Sequence, residues 1–195
     1  MQPIRTARLT LRPFTLDDLD AVAELLADPE VMRYVGAGEA RGRTRAEAAT
    51  TLRKLLDEYE RWGHGLWAVT APDENGGRPI GWSGLIRWEL DEQIEVEVAY
   101  LLGRPYWGGG YATEAATAAR DHAVRVLGRR RLVSLIYPQN TASIRVAEKL
   151  GMAHERDAEF FGQRLLLFSL TAPDFKGRLP SGAAPAPPGS GRHRA

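Results

Sequence analysis

The segment that most restricts this chain is Val98 to Glu114, Val-Ala-Tyr-Leu-Leu-Gly-Arg-Pro-Tyr-Trp-Gly-Gly-Gly-Tyr-Ala-Thr-Glu. An apolar run that reads as a strand enters three consecutive glycines, and a helix begins directly after them. Any fold containing it must set a backbone without Cβ atoms at the amino end of a helix. Unpaired N–H groups and the helix dipole favour an anion there. A tight strand-to-helix turn needing positive φ is the simpler reading, but three glycines exceed what a turn requires. The expected ligand group is a phosphate or pyrophosphate. Two common phosphate patterns fail. No Gly-Lys-Ser/Thr follows, which excludes a P-loop. Gly108-x-Gly110-x-x puts Thr113 where a dinucleotide fingerprint needs its third glycine, and the next strand ends Tyr137-Pro138-Gln139-Asn140 without a ribose-binding acid.

The rest of the chain predicts a mixed α+β sheet. Arg8 to Pro13 alternates apolar and polar residues as a half-buried strand does. Thr15 caps a helix whose first turn holds Asp17 and Asp18. Asp28-Pro29-Glu30 opens a short helical turn, and Thr44-Arg45-Ala46-Glu47 is a capping box for a helix reaching about Arg61. Strands follow at 66–71, 79–88 and 94–102 with no helix between them, so they form an antiparallel meander turning at Asn75-Gly76-Gly77 and Asp91-Glu92. A helix over about 112–126 presents Ala115, Ala116, Ala119, Ala123 and Val126 on one small-residue face. After it come a strand at 132–136, a helix over 140–150 ending at Gly151, and a hairpin of 155–161 and 165–171 around Gly162-Gln163.

Composition narrows the function classes. In 195 residues there is no cysteine, which excludes disulfides, thiolate metal sites and a cysteine nucleophile. His64, His122, His154 and His193 show no metal-ligand spacing, so no metal is expected. Removing Lys176, Arg178, Arg192 and Arg194 leaves 22 basic against 25 acidic residues, a poor footprint for nucleic acid. Residues 1–175 read as one domain. Residues 176–195, rich in Pro, Gly and Ala, read as a disordered basic tail. No apolar run approaches the roughly 20 residues of a membrane span, and the N-terminus lacks a signal-peptide core, so a cytoplasmic protein without membrane partners is expected.

Several landmarks occur in order: Thr6-x-Arg8-Leu9-x-Leu11-Arg12-Pro13-Phe14, Asp28-Pro29-Glu30-Val31-Met32, Glu97-Val98-Ala99-Tyr100, Trp107 to Glu114, and Asn140-x-x-Ser143 leading to Glu148-Lys149-Leu150-Gly151-Met152. On these the chain resembles the GNAT superfamily of acetyl-CoA-dependent N-acetyltransferases, within it the ribosomal-protein N-terminal acetyltransferase-like branch, over about Thr6 to Thr171. The resemblance implies a mostly antiparallel sheet of about seven strands flanked by helices and splayed between its central strands. It implies that the 94–102 strand leaves its neighbour after a bulge, and that the pantetheine arm of acetyl-CoA fills the gap.

Residue by residue, the resemblance implies that the amides of Gly108, Gly109, Gly110, Tyr111, Ala112 and Thr113 hold the pyrophosphate. Trp107 stands where the family usually has Gln or Arg. Backbone around Tyr100, Leu101 and Leu102 pairs with pantetheine, and one N–H there polarises the thioester carbonyl. Asn140 bonds a pantetheine amide, caps its helix, or does both. Glu97 is the candidate base for the acceptor amine, and Glu95 shares its strand face; the alternative is that both are simply solvated on a strand. The position of the family's tyrosine acid is Ala147, leaving Ser143 or water as substitute, with Tyr106 and Tyr137 as outside candidates. Arg129-Arg130-Arg131 either touches the 3′-phosphate of CoA or is a solvated junction. Met32, Tyr34, Trp62, Trp67 and Trp82 are acceptor-pocket candidates or plain core. The resemblance implies transfer from acetyl-CoA to a primary amine, such as a protein N-terminus, a small amine or an antibiotic amine, and allows a homodimer. A CoA-binding sensor without efficient transfer is the alternative, motivated by Ala147; another nucleotide-binding module is a third.

Overall fold

The computed structural model describes residues 2–38, 40–71, 76–160 and 162–171. Its eight strands are β1 (Ile4–Arg5), β2 (Thr10–Arg12), β3 (Leu66–Thr70), β4 (Pro79–Leu90), β5 (Gln93–Leu102), β6 (Arg131–Ile136), β7 (Ala153–Phe160) and β8 (Gln163–Thr171). The helices are α1 (Leu19–Ala27), α2 (Pro29–Met32), α3 (Arg45–Trp62), α4 (Tyr111–Arg125) and α5 (Thr141–Lys149). The strands form one sheet in the order β1-β2-β3-β4-β5-β6-β8-β7. Every pairing is antiparallel except β5 with β6, which the α4 crossover joins in parallel. The strand beyond the expected seven is β1, a two-residue piece paired with β2.

Each face of the sheet carries one main core. Buried side chains of α1, α2 and α3, among them Val22, Leu26, Met32, Leu52 and Leu55, pack with Leu66, Ala68 and Trp82. On the other face α4 and α5 cover Trp67, Val96, Val98 and Leu132. Ala115, Ala116, Ala119 and Ala123 have no exposed surface, whereas Val126, expected on the same face, follows the last helical residue and is exposed. With only methyl groups in the contact, α4 can lie close on the strands.

The expected caps form. Thr44 accepts from the Glu47 amide while the Glu47 carboxylate accepts from Thr44 N at 2.8 Å, a motif of which each cap contributes about 1 kcal/mol. α3 ends at Gly63 in the left-handed region, φ 66°. After Thr15 comes first a 3₁₀ turn, Leu16–Asp18, because the Asp18 carboxylate turns inward, takes the Thr15 amide at 2.8 Å and pairs with both Arg12 guanidinium nitrogens at 2.8 and 2.7 Å. The β4–β5 turn uses Asp91 and Glu92 at φ 50° and 62°, without glycine. The Asn75-Gly76-Gly77 turn lies partly outside the described residues, and the domain boundary at 175/176 and the tail lie wholly outside them. β4 and β5 stay in continuous register from Leu90↔Gln93 to Gly81↔Leu102, so the bulge expected in β5 is absent from this ladder.

Candidate active site

The splay arises on the other side of β5. Its parallel partnership with β6 consists of one pair, Glu97↔Val133. Two side chains take the places of the next rungs. Ser134 Oγ donates to the Val98 carbonyl at 2.9 Å, and the Leu135 amide donates to Glu97 Oε1 at 3.1 Å. Past them the strands are no longer paired. Strand alternation then decides which backbone groups face the gap. Ser83 Oγ donates to the Ala99 carbonyl and Gly103 N to the Ile80 carbonyl, which turns the odd-numbered residues toward β4. Val98, Tyr100 and Leu102 therefore face β6. Tyr100 presents both its N–H and C=O to the gap. Leu102 presents its N–H, its carbonyl being taken by Trp107 Nε1 at 2.7 Å. Leu101, expected with them, opposes Trp82 of β4 instead, and a Cβ on Gly81 would come within 2.1 Å of its carbonyl oxygen.

The glycine loop closes the mouth of the gap. Gly108 and Gly110 sit at φ 76° and 81°, conformations that only glycine adopts without strain. Gly110 is the N-cap of α4 and supplies no capping side chain. Among the described residues nothing accepts from the amides of Gly108, Gly109, Gly110, Ala112 or Thr113. Residues 107–110 are exposed. An uncapped, solvent-open helix start of this kind fits the oxygens of a pyrophosphate. Trp107, in place of Gln or Arg, fastens the approach to the loop onto Leu102.

Glu97 is partly buried at the apex of the splay. Its Oε2 accepts from Trp88 Nε1 at 2.6 Å and its Oε1 from Leu135. Burial raises its carboxyl above the usual range, and the two donors offset part of that rise. A raised value suits a base working near neutrality. Glu95 shares the strand face but not the situation. It is buried and paired with Arg131 Nε at 3.0 and 3.1 Å, and Arg131 also binds Glu155. That pairing gives Arg131 a structural role. The 15-residue α4, about 22 Å long at 1.5 Å per residue, separates residues 129–131 from the glycine loop, so the arginine run does not reach it.

Asn140 caps α5, its Oδ1 accepting the Ser143 amide at 3.1 Å, a bond that does not use its side-chain amide hydrogens. Ala147 is fully buried in the core. The phenol that reaches α5 comes from β5: Tyr100 Oη donates to the Ser143 carbonyl at 3.0 Å, and burial pushes its pKa up to about 12. Tyr106 packs edge-on against Tyr111 beside the loop.

Tyr137 Oη donates to the Gly36 carbonyl at 2.9 Å and its ring lies 5.7 Å from that of Tyr34, tying the α2–α3 loop to the end of β6. A 260 Å³ cavity under that loop is lined by Met32, Val35, Ala37, Ala40, Arg41 and Arg43. Of the other pocket candidates, Trp67 and Trp82 are core, and Trp62 lies on the surface beneath Arg87. Sequence reasoning missed Trp88 and Ser134, which show themselves only across strands. It quoted Arg8 but gave it no role. Among the described residues no group of His, Asp or Glu could hold a metal ion.

Comparison with known proteins agrees with this geometry. Residues 8–153 match the acetyltransferase (GNAT) domain family. The Bacillus subtilis protein YkkB, uncharacterized, is 34% identical over 138 residues, covering 68% of this chain and 73% of its own. An uncharacterized N-acetyltransferase of Bacillus licheniformis, p20, is 28% identical over 184 residues, covering 91% of this chain and all of its own. The crystal structure of an acetyltransferase from Agrobacterium tumefaciens superposes with a TM-score of 0.72 at 30% identity, covering 87% of this chain and 94% of that one.

Proposed function

Because this chain belongs to the GNAT family of acetyl-CoA-dependent acyltransferases, we propose that it moves the acetyl group of acetyl-CoA onto a primary amine by direct transfer in a ternary complex. The observation carrying this reading is that β5 loses its pairing with β6 beyond Glu97, leaving the Tyr100 backbone without a β6 partner, and leads through a short connection to the uncapped glycine helix start at Gly110. Acetyl-CoA supplies an activated thioester. The amides from Gly108 to Thr113 take its pyrophosphate, with the Thr113 hydroxyl as a further donor. Tyr100 pairs with the pantetheine arm as a neighbouring strand would, and the Asn140 side chain extends that pairing. The N–H of Tyr100 or Leu102 polarises the thioester carbonyl.

The amine nitrogen attacks the thioester carbon, forming C–N as C–S breaks. Glu97 receives one ammonium proton before attack, directly or through one water, and the proton that the nitrogen still sheds on becoming an amide passes through Ser143 or water to the departing thiolate. An acceptor α-amine, with a reference pKa of about 7.7–8.0, is partly protonated at neutrality and gains from such a base. A peptide N-terminus or a small amine fits the opening beneath the α2–α3 loop.

Thiol release from acetyl-CoA, screened against peptides with varied N-termini, polyamines, amino acids and aminoglycosides, tests the proposal. Amine-dependent release supports it. The second reading, a CoA-binding sensor, draws on Ala147 at the usual acid position; CoA binding without release by any amine favours it. Absence of CoA binding overturns both.

A further inference from the structure

We infer that Arg8 positions the glycine loop for its anionic ligand, its guanidinium bridging the Gly109 carbonyl and the Glu114 carboxylate and so setting the direction of the Gly110 amide. The inference rests on the loop being the CoA pyrophosphate site.

Arg8 lies far from the loop in sequence and folds directly onto it. One terminal nitrogen donates to the Gly109 carbonyl at 2.9 Å, Nε donates to Glu114 Oε2 at 2.8 Å, and the other terminal nitrogen pairs with the same oxygen at 2.8 Å. The guanidinium sits 4.2 Å over the Tyr111 ring. Behind it, the Arg8 amide and Thr6 Oγ1 donate to Glu114 Oε1 at 2.9 and 2.6 Å. The segment before β2 is thereby fastened to the first turn of α4.

Two consequences follow from elementary geometry and charge. A trans peptide is planar, so its C=O and N–H point in opposite directions. Holding the Gly109 oxygen on Arg8 therefore aims the Gly110 N–H away from Arg8. Without that tie the Gly109–Gly110 peptide is freer to rotate, because both of its residues are glycines and no side chain restricts their φ and ψ. The second consequence concerns Glu114. A carboxylate in the first turn suits the helix dipole but repels a pyrophosphate sharing the same amides. Burial would raise that carboxyl; Thr6 and Arg8 override it and keep the group ionised below the usual range. Its charge is then met by Arg8 and leaves the loop open to an anion.

Calorimetric titration of the full chain with CoA, together with competition by ADP and by pantetheine, tests the inference. ADP carries the pyrophosphate without the arm, pantetheine the arm without the pyrophosphate. Arg8→Ala should weaken CoA and ADP alike by about ten- to a hundredfold, the worth of a charge-assisted hydrogen bond, and leave pantetheine unchanged. Arg8→Lys keeps a cation beside Glu114 but loses the fork to Gly109, and should show the same selective loss, smaller in size; it carries the test if Arg8→Ala does not fold. Equal weakening of all three ligands would reduce Arg8 to a fold staple. Unchanged CoA affinity in both variants would remove its role. Wild-type protein that binds CoA no better than pantetheine would overturn the loop assignment itself.

Discussion

The carboxylate of Glu97 accepts the amide of Leu135 at 3.1 Å, two residues beyond the backbone pair Glu97↔Val133. A side chain of β5 thus takes an N–H of β6 that a main-chain carbonyl would hold in a closed ladder. The same residue terminates the sheet pairing and stands at the apex of the opening it creates. Its two acceptor bonds fix the carboxylate without exhausting its lone pairs, since each oxygen can accept a second donor.

Glu97→Gln keeps the volume and removes the proton affinity, while turning its NH2 toward one of the two donors, Trp88 Nε1 or the Leu135 amide. The rate at saturating acetyl-CoA should fall by about 10²–10⁴ at neutral pH, the usual contribution of a positioned base. Because the folded carboxyl titrates above its ordinary value, wild-type activity should rise as pH passes through that raised value, and the variant should lack this limb. At high pH, where the amine is already neutral, the variant should recover in part. A pH–rate profile decides this, and a variant at full rate across it removes Glu97 from the proton path.

Glu95→Gln should behave differently. Its carboxylate is committed to Arg131, with no role in the gap. Thermal unfolding should move down by several degrees, while the turnover number and the amine KM of the folded enzyme stay within about twofold of wild type. An equal loss of rate in Glu95→Gln and Glu97→Gln would point instead to a general field of carboxylates drawing in a cationic amine.

Gly110→Pro should abolish CoA binding with the far-UV signature of the fold preserved. Proline removes the Gly110 amide and fixes φ near −65°, whereas the residue sits at 81°. Unaltered CoA affinity by calorimetry would sink the loop assignment.

Ala147→Tyr, which restores a tyrosine at the position of the family's acid, should not raise the rate. The site has no exposed surface, and overpacking of this kind typically costs about 1–3 kcal/mol. A variant more active and equally stable would show that the core has room for a phenol.

Acid titration should expose the Arg12–Asp18 pair. Burial alone would raise the Asp18 carboxyl, but Arg12 and the Thr15 amide hold it below its usual value. Its contribution is therefore present above the unfolded value and lost as pH falls through the folded one. Asp18→Asn should lower stability by about 2 kcal/mol at pH 7, between exposed and buried pairs, with the gap to wild type closing toward pH 2. A pH-independent difference in denaturant midpoint would contradict this.

Much of the arrangement was legible from local chemistry. Three glycines before a helix, the Thr44–Glu47 box and the Asn140 cap each declare themselves within a few residues, and each formed. What stayed hidden depends on partners distant in sequence. Nothing near Glu95 says that Arg131 will neutralise it, and nothing near Glu97 names Trp88 and Leu135. Leu101 was grouped with Tyr100 and Leu102 on the family resemblance, and strand alternation separates it from them. The turn at Asp91 and Glu92 adopts positive φ with residues that seldom do so, so its tightness was not readable from glycine content. β1 escaped notice because two residues carry no periodicity.

The single backbone rung between β5 and β6 gives the sheet two leaves, β1 to β5 and β6 to β8, which side-chain bonds hold together near that rung and no backbone pairing joins beyond it. Their spread at the open end is set by whatever lies between them. A guest that supplies amide groups there turns an unfinished edge into a continuous sheet, so the cargo doubles as mortar.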